Sequence, residues 1–264
     1  MGVLNVTPDS FSDGGAHADR RAAFDHGYAM HEAGVDIVDV GGESTRPGAD
    51  AVPADEELRR VVPAIGWLAA AGVVVSVDTS KPSVARAAVA AGAAIVNDVT
   101  GLRDPEMIEV LTSCDAGVVV MHMLGTPRTM QADPTYADVV TEVRDHLVER
   151  ATAAESAGIS RDRIVIDPGI GFGKTLGHNL ELLAGLDELV RTGYPVLVGA
   201  SRKSFMAKLI GEVPPGERDA PTHAVHALAI AHGAAVIRVH DAVGGVFGAR
   251  SADAIVRLNR GGGT

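Results

Sequence analysis

The sequence predicts a single α/β domain, a closed (β/α)8 TIM barrel of eight parallel strands. Three observations carry that expectation. Short β-branched apolar runs alternate from end to end with longer helical stretches, the pattern of repeated βαβ units. The alternation fills nearly all of the 264 residues without a linker or a shift in composition, a span that suits one barrel. Polar residues recur at the carboxyl ends of the strands all along the chain. An open doubly wound sheet would gather them in one crevice and carry a Gly-rich fingerprint after its first strand.

The elements follow in order. Residues 2–6 are a short apolar strand with Asn5 near its end. A helix over 19–33 is closed by Gly34, a residue suited to helix termination. The second strand, 35–40, runs into Gly41-Gly42-Glu43-Ser44-Thr45-Arg46-Pro47-Gly48. A helix over 55–71 precedes Gly72, and the strand 73–78 ends in Asp78. Pro82 opens an Ala/Val-rich helix to Ala91, as Pro does at a first helical position. The strand 93–97, a helix over 104–113 and the strand 117–122 follow. A polar loop, 123–134, leads to a long helix over 136–157 with acid–base spacing on its face. The sixth strand, Arg163-Ile164-Val165-Ile166-Asp167, stops at a carboxylate before Pro168-Gly169-Ile170-Gly171-Phe172-Gly173-Lys174. A helix over 178–191, the strand 195–199, helices over 203–211 and 219–232, the strand 234–240 and a helix over 250–259 complete the pattern. Residues 1–260 are thus one domain, and 261–264 are expected to be a disordered tail.

Bulk properties exclude several classes. The net charge is −11, from 23 basic and 34 acidic residues with no basic stripe, so nucleic acid is not an expected partner. No run approaches the ~20 apolar residues of a membrane span, and no basic-then-apolar leader opens the sequence. The one cysteine, Cys114, rules out an internal disulfide framework and fits a reducing cytoplasm. Several motifs fail on inspection. Gly169 to Thr175 resembles a P-loop, but Pro168 stands where a glycine is needed. His31-Glu32 has Val35 where a zinc-binding pair needs its second His.

At the strand ends stand Asn5, Asp39 with Glu43, Asp78, Asn97 with Asp98, Met121 with His122, Asp167, Ser201 to Lys203, and Arg238 with His240. Short acids and amides suit a flat, nitrogen-rich heterocycle. A carboxylate accepts two parallel bonds from a ring N–H and its adjacent amine, and an asparagine can donate and accept at once. Arg46, Lys203, Arg238 and His240 form a second, cationic set able to hold a phosphate or diphosphate, with the N–H groups of Ser201-Arg202-Lys203 opening a helix beside it. Asp39 and Asp98 read equally well as helix N-caps. Ser80 can cap the helix after Asp78, which leaves Asp78 for function. His122 and His31 read as structural.

Met1 to Gly15 and Gly41 to Gly48 resemble the two signature segments of the dihydropteroate synthase family. Val77-Asp78-Thr79, Val96-Asn97-Asp98, Met121-His122-Met123, Asp167 to Phe172, Ser201-Arg202-Lys203 and Arg238 to Asp241 are similar to its later motifs, in the family's order. The resemblance covers residues 1 to about 241. It implies the joining of 6-hydroxymethyl-7,8-dihydropterin diphosphate to 4-aminobenzoate, giving 7,8-dihydropteroate and diphosphate. Residue by residue, it implies a pterin site of Asp78, Asn97, Met121, Asp167, Phe172, Lys203 and Arg238. Asn5, Arg46, Arg238 and His240 would hold the diphosphate, Asn5 by way of Mg²⁺. Phe11, Thr45, Pro47, Phe172 and Ser204 would border 4-aminobenzoate. Asp78, Asp167, Lys203, Arg238 and His240 would carry the catalysis. C–O cleavage would come first, with the loops of Asp9 and Arg46 closing to exclude water.

The family usually has residues before the first strand, and its last helix, which helps form a homodimer, follows promptly after the last strand. Here residues 242–249 read as a Gly-rich insertion, and the barrel floor is expected to be uncovered. Two other readings stay open: a methyltetrahydrofolate-type pterin methyltransferase barrel, which would not need the diphosphate cations, and an inactive pterin-binding paralogue.

Overall fold

The computed structural model describes residues 1–6, 15–44 and 48–260. Eight strands run β1 (Gly2–Asn5), β2 (Val38–Gly41), β3 (Val75–Asp78), β4 (Ile95–Asp98), β5 (Gly117–Met121), β6 (Ile164–Asp167), β7 (Leu197–Val198) and β8 (Val236–Ile237). The helices between and after them are α1 (Gly15–Glu32), α2 (Ala54–Ala70), α3 (Pro82–Ala90), α4 (Pro105–Thr112), α5 (Val139–Ser156), α6 (Leu176–Ala184), α7 (Leu186–Val190), α8 (Ser204–Ile210), α9 (Asp219–Ala231) and α10 (Ala242–Arg260). Strands β1 to β6 pair in parallel in chain order, and β7 pairs in parallel with β8. Parallel bridges Ile166–Val196 and Gly2–Val239 join the two sheets. Ile166 N donates to Pro195 O at 2.9 Å and Val3 N to Val239 O at 3.0 Å. The barrel expected from the sequence therefore closes.

The period of two along a strand sorts every residue into one of two environments. Val38, Val40, Val75, Val77, Val96, Val118, Val120, Ile164 and Ile166 face outward into the main core, against Ile65, Leu68, Val84, Met107, Leu111 and Leu147 of the helices. The alternate positions Ile37, Ile95, Val119, Val165, Leu197 and Val236 pack with Met1 inside the barrel. Two residues further along the same inward rows lie Asp39, Asn97, Met121, Asp167 and Arg238. A one-residue slip in any of these strands would bury its polar group among the helices. The outward valines thus hold the register that aims the site.

Helix α1 starts at Gly15 instead of residue 19, and three further stretches differ from the sequence reading. The long fifth helix starts at Val139, because Asp138 caps it by accepting from Val140 N and Thr141 N, each at 3.1 Å. The single helix expected over 178–191 is two, α6 and α7, broken at Gly185. The third is a correction of substance. Residues 242–249 are no flexible insertion: α10 begins at Ala242, directly after β8 and Asp241. A Cβ on Gly244 would sit 2.2 Å from Asp241 Oδ2, and one on Gly245 would sit 2.6 Å from Val239 Cγ1. These glycines let the first turn of the helix lie against β8, and Asp241 holds that turn by accepting from Gly244 N at 3.2 Å.

At the amino ends of the strands an apolar cavity of about 320 Å³ is lined by Met1, Ile37, Ile95, Val119, Val165 and Leu197 among others. It lies across the barrel from the polar strand ends. No helix among the described residues is long and apolar enough to cross a membrane.

Candidate active site

Asp167 ends β6 and is buried. The chain then turns at Gly169, whose φ is +66°, and a Cβ there would lie 1.9 Å from His122 O. Only glycine lets the loop pass the end of β5 so closely. The turn brings Gly169 N back to donate to Asp167 Oδ1 at 2.7 Å. The other carboxylate oxygen makes no hydrogen bond to a described residue. Burial pushes the Asp167 carboxyl up to about 6, opposed by the Gly169 bond and by the charges of Lys203, Arg238 and Lys174.

Across the barrel a polar network ties four strands together. Arg238, just past β8, donates through Nε to Asp39 Oδ2 and through Nη2 to Asp78 Oδ2, both at 2.6 Å. Asn97 Nδ2 donates to the same Asp39 oxygen at 3.1 Å. Burial raises the Asp78 carboxyl and Arg238 pulls it back. Burial alone would lower Arg238, but Asp39 and Asp78 more than reverse it and hold the guanidinium above its ordinary range. Asp39 is the member that sequence reasoning left undecided between a site residue and a helix cap. Its signal was parity: an acid between Val38 and Val40 in a strand whose valines face the helices must face the barrel interior.

The apolar side of the mouth is a cluster of Val99, Met121, Met123, Met130 and Phe172. Lys203 Nζ lies 3.8 Å from the centre of the Phe172 ring, a cation–π contact at the edge of that wall. His240 Nδ1 lies 2.9 Å from Ser201 Oγ, which also accepts from His240 N at 3.1 Å. Ser204 is exposed in the first turn of α8, next to Lys203. Asn5 Oδ1 and Asp78 Oδ2 both stand beside Gly41, each 3.8 Å from where its Cβ would be.

The structure thus gathers Asp78, Asn97, Met121, Asp167, Phe172, Lys203 and Arg238 at one end of the barrel, with Asn5 and His240 at strand ends beside them. Phe11, Thr45, Arg46 and Pro47 lie outside the described residues, as do Asp9 and the tail 261–264.

Three sequence expectations need correction. Asp98 faces outward and accepts from Thr100 N at 2.8 Å, Thr100 Oγ1 at 2.6 Å and Leu102 N at 2.9 Å. It caps a turn, while Asp104 caps α4. Ser80 does not cap α3; its N-cap is Lys81, without a side-chain bond, and Pro82 removes one orphan donor. Two of the three N–H groups before α8 are committed, Arg202 N to Thr222 Oγ1 at 3.1 Å and Lys203 N to Ala200 O at 3.4 Å. Arg202 itself pairs with Asp219. Lys174, at the end of the failed P-loop, was not singled out in the sequence and is a buried strut. Its Nζ lies 3.0 Å from His122 Nδ1 and 2.9 Å from Phe172 O, and so props the Phe172 loop. Burial pushes Lys174 down to about 7, and burial with the Lys174 charge pushes His122 down to about 2.

Comparison with known proteins agrees with this fold. Residues 1–240 match the pterin binding enzyme family. The dihydropteroate synthase of Escherichia coli is 48% identical over 91% of this chain and 86% of its own length. A probable bifunctional folylpolyglutamate synthase/dihydropteroate synthase of Haloferax volcanii is 52% identical over 91% of this chain, and the chain spans 28% of that protein. The structure of Xanthomonas albilineans dihydropteroate synthase with 4-aminobenzoic acid is 50% identical, with a TM-score of 0.90 over 97% of this chain and 92% of that one.

Proposed function

The chain belongs to the pterin binding enzyme family and, within it, to the dihydropteroate synthases, and from that premise we propose how its residues join 6-hydroxymethyl-7,8-dihydropterin diphosphate to 4-aminobenzoate. One observation carries the assignment of roles: Asp78, Asn97, Asp167 and Arg238, from four different strands, meet at the mouth with the Phe172 wall.

Asp167 receives the 2-amino and N3–H edge of the pterin, for which a buried carboxylate offers two acceptor oxygens. Asn97 and Asp78 bond the remaining ring nitrogens, and Lys203 bonds the 4-oxo and N5 side. Met121 and Phe172 flank the ring, and Arg238 stacks on it. The bond from the pterin methylene carbon to the diphosphate oxygen breaks first, and the electron pair leaves with the diphosphate. The dihydropterin ring delocalises the resulting methylene cation, which the carboxylates around it favour. Arg46, Arg238 and His240 neutralise the charge growing on the leaving group. The aniline nitrogen of 4-aminobenzoate, bordered by Phe11, Thr45, Pro47, Phe172 and Ser204, then attacks carbon and releases a proton. Its lone pair is free at neutral pH, so no strong base is needed.

Among the described residues no group of three or more His, Cys, Asp or Glu could hold a metal ion. Asn5 offers one hard oxygen of the kind Mg²⁺ prefers, and would hold the ion beside the diphosphate. When bound, the ion supplies positive charge to the departing diphosphate.

Turnover is the test. Purified protein with both substrates and Mg²⁺ is expected to form dihydropteroate, to stop on chelation and to recover when Mg²⁺ is restored. By calorimetry, 4-aminobenzoate should bind at least tenfold more tightly with diphosphate present. No product, or binding indifferent to diphosphate, would remove this reading and leave the paralogue.

A homodimer and a cytoplasmic setting complete the proposal. Val243, Phe247, Ile255 and Leu258 are exposed at helical spacing along α10, with Leu228 exposed on α9. Such an apolar stripe on one surface supports an interface. Phe247→Asp is expected to give monomers in sedimentation equilibrium, whereas a wild-type mass for the variant would exclude this face. The sequence holds one cysteine, Cys114, and so has no internal disulfide framework to maintain in a reducing compartment.

A further inference from the structure

Asp39 lies one register step deeper in the barrel than the groups assigned to the pterin. It pairs with Ser76, while Gly41 pairs with Asp78 and Asp78 with Asn97. Its side chain is 0% exposed, so a substrate seated on Asp78 and Asn97 does not reach it. Yet Oδ2 takes two bonds, from Arg238 Nε at 2.6 Å and from Asn97 Nδ2 at 3.1 Å. Among the described residues Oδ1 has no hydrogen-bond partner, and neither has Ser76 Oγ on the adjoining strand. A buried acid kept for stability alone is expected to use both oxygens. This one leaves an oxygen unsatisfied and spends its bonding on two groups that face the site.

Both bonds fix orientation. The Nε and Nη2 hydrogens lie along one edge of a planar guanidinium, and here Asp39 and Asp78 divide that edge between them. The plane of Arg238 is thereby set by two carboxylates, one of them below the substrate. The Asn97 amide has two orientations related by a half turn. Reversed, its oxygen would meet the Asp39 carboxylate, acceptor against acceptor. Asp39 therefore holds the Asn97 oxygen away from itself, on the side where a ring N–H can meet it.

We propose that Asp39 is a positioning residue for the condensation: without touching substrate, its carboxylate sets the plane of Arg238 and the amide orientation of Asn97. The proposal rests on the pterin-binding roles given above for those two residues.

The isosteric Asp39→Asn tests it. The variant is expected to fold, since Arg238 keeps Asp78. It should bind the pterin diphosphate about tenfold more weakly and show kcat reduced about 10- to 100-fold. At saturating pterin diphosphate its KM for 4-aminobenzoate should stay within about threefold of wild type. In an Asn97→Ala background the same substitution should weaken pterin binding by less than half that factor, because part of the effect passes through Asn97. Asp39→Glu, which keeps the charge but moves it by one methylene, should melt near wild type and still have depressed kcat. Wild-type kcat and pterin affinity per folded molecule in Asp39→Asn, or full kcat in Asp39→Glu should Asp39→Asn not fold, would overturn the proposal. Failure of the wild-type protein to bind the pterin diphosphate would instead strike the roles on which it rests.

Discussion

Asp167→Asn is expected to weaken pterin binding by about 100- to 1,000-fold and at the same time to raise the melting temperature. The first effect follows from donors and acceptors. One carboxylate meets two N–H donors, and bonds to a charged group are worth ~1.5–3 kcal/mol each. In the variant the amide oxygen still accepts from Gly169 N, and the NH2 then points at the donors of the pterin edge. The second effect follows from linkage. The folded carboxyl titrates near 6 against an ordinary 3.8, chiefly because it is buried. The folded state therefore holds this proton more tightly than the unfolded one, and stability falls as pH rises from about 4 to 6. At neutral pH the ionised group costs on the order of 2–3 kcal/mol, which the uncharged amide relieves. The same value means that pterin affinity should fall as pH drops through about 6.

Asp98→Asn should do the reverse. Its three bonds hold a turn in which Leu102 adopts a φ of +59°, and an amide NH2 cannot accept from Leu102 N. Pterin affinity should stay within about threefold of wild type while the melting temperature falls. Calorimetry and thermal unfolding of both variants decide the matter. Equal losses of pterin affinity would show that the inward and outward acids have been misread.

Inward and outward rows were the part of the fold most legible in the sequence. The run Val73 to Asp78 announces a strand with an acid at its end, and such runs recur at barrel spacing. Helix ends set by local chemistry were less legible. Asp138 caps α5 two residues inside the expected start. The glycines at 244 and 245 looked like flexibility, whereas close contact with Val239 and Asp241 requires them. A sequence states that a residue is small; it does not state what leans against it.

The site shows the same division. Asp78, Asn97, Asp167 and Arg238 were legible because each lies at or within a residue of a strand's carboxyl end. Asp39 was obscured because an acid near a βα junction has a common local explanation, and because its partner Arg238 stands 199 residues away in sequence. Lys174 was obscured by a motif. The P-loop likeness directs attention to phosphate, but the side chain turns inward to His122 and the Phe172 carbonyl. Both residues act by holding others, and long-range partners of that kind are invisible to spacing.

Arg238→Met is expected to abolish turnover, lowering kcat/KM by more than about 1,000-fold, and to destabilise the fold by about 3–5 kcal/mol. The stability term comes from what remains. Asp39 is 0% exposed and Asp78 7%, and removing their shared cation leaves two carboxylates close together in the barrel. For a chain of this size a loss of that order lowers the melting temperature by about 10 °C. Arg238→Lys should fare little better in catalysis. An ammonium can meet one of the two acids, but it has neither the fork that meets both nor the plane that covers the pterin. The double variant Arg238→Met with Asp39→Asn separates the two roles. It discards one of the two abandoned charges, so part of the lost stability should return. Turnover should not, because the Arg238 guanidinium proposed to stack on the pterin and face the leaving diphosphate is gone. Recovery of activity in step with the melting temperature would reduce Arg238 to a structural counter-ion and remove it from the chemistry. Recovery of stability alone would show that one side chain neutralises the barrel's buried acids and also carries part of the reaction.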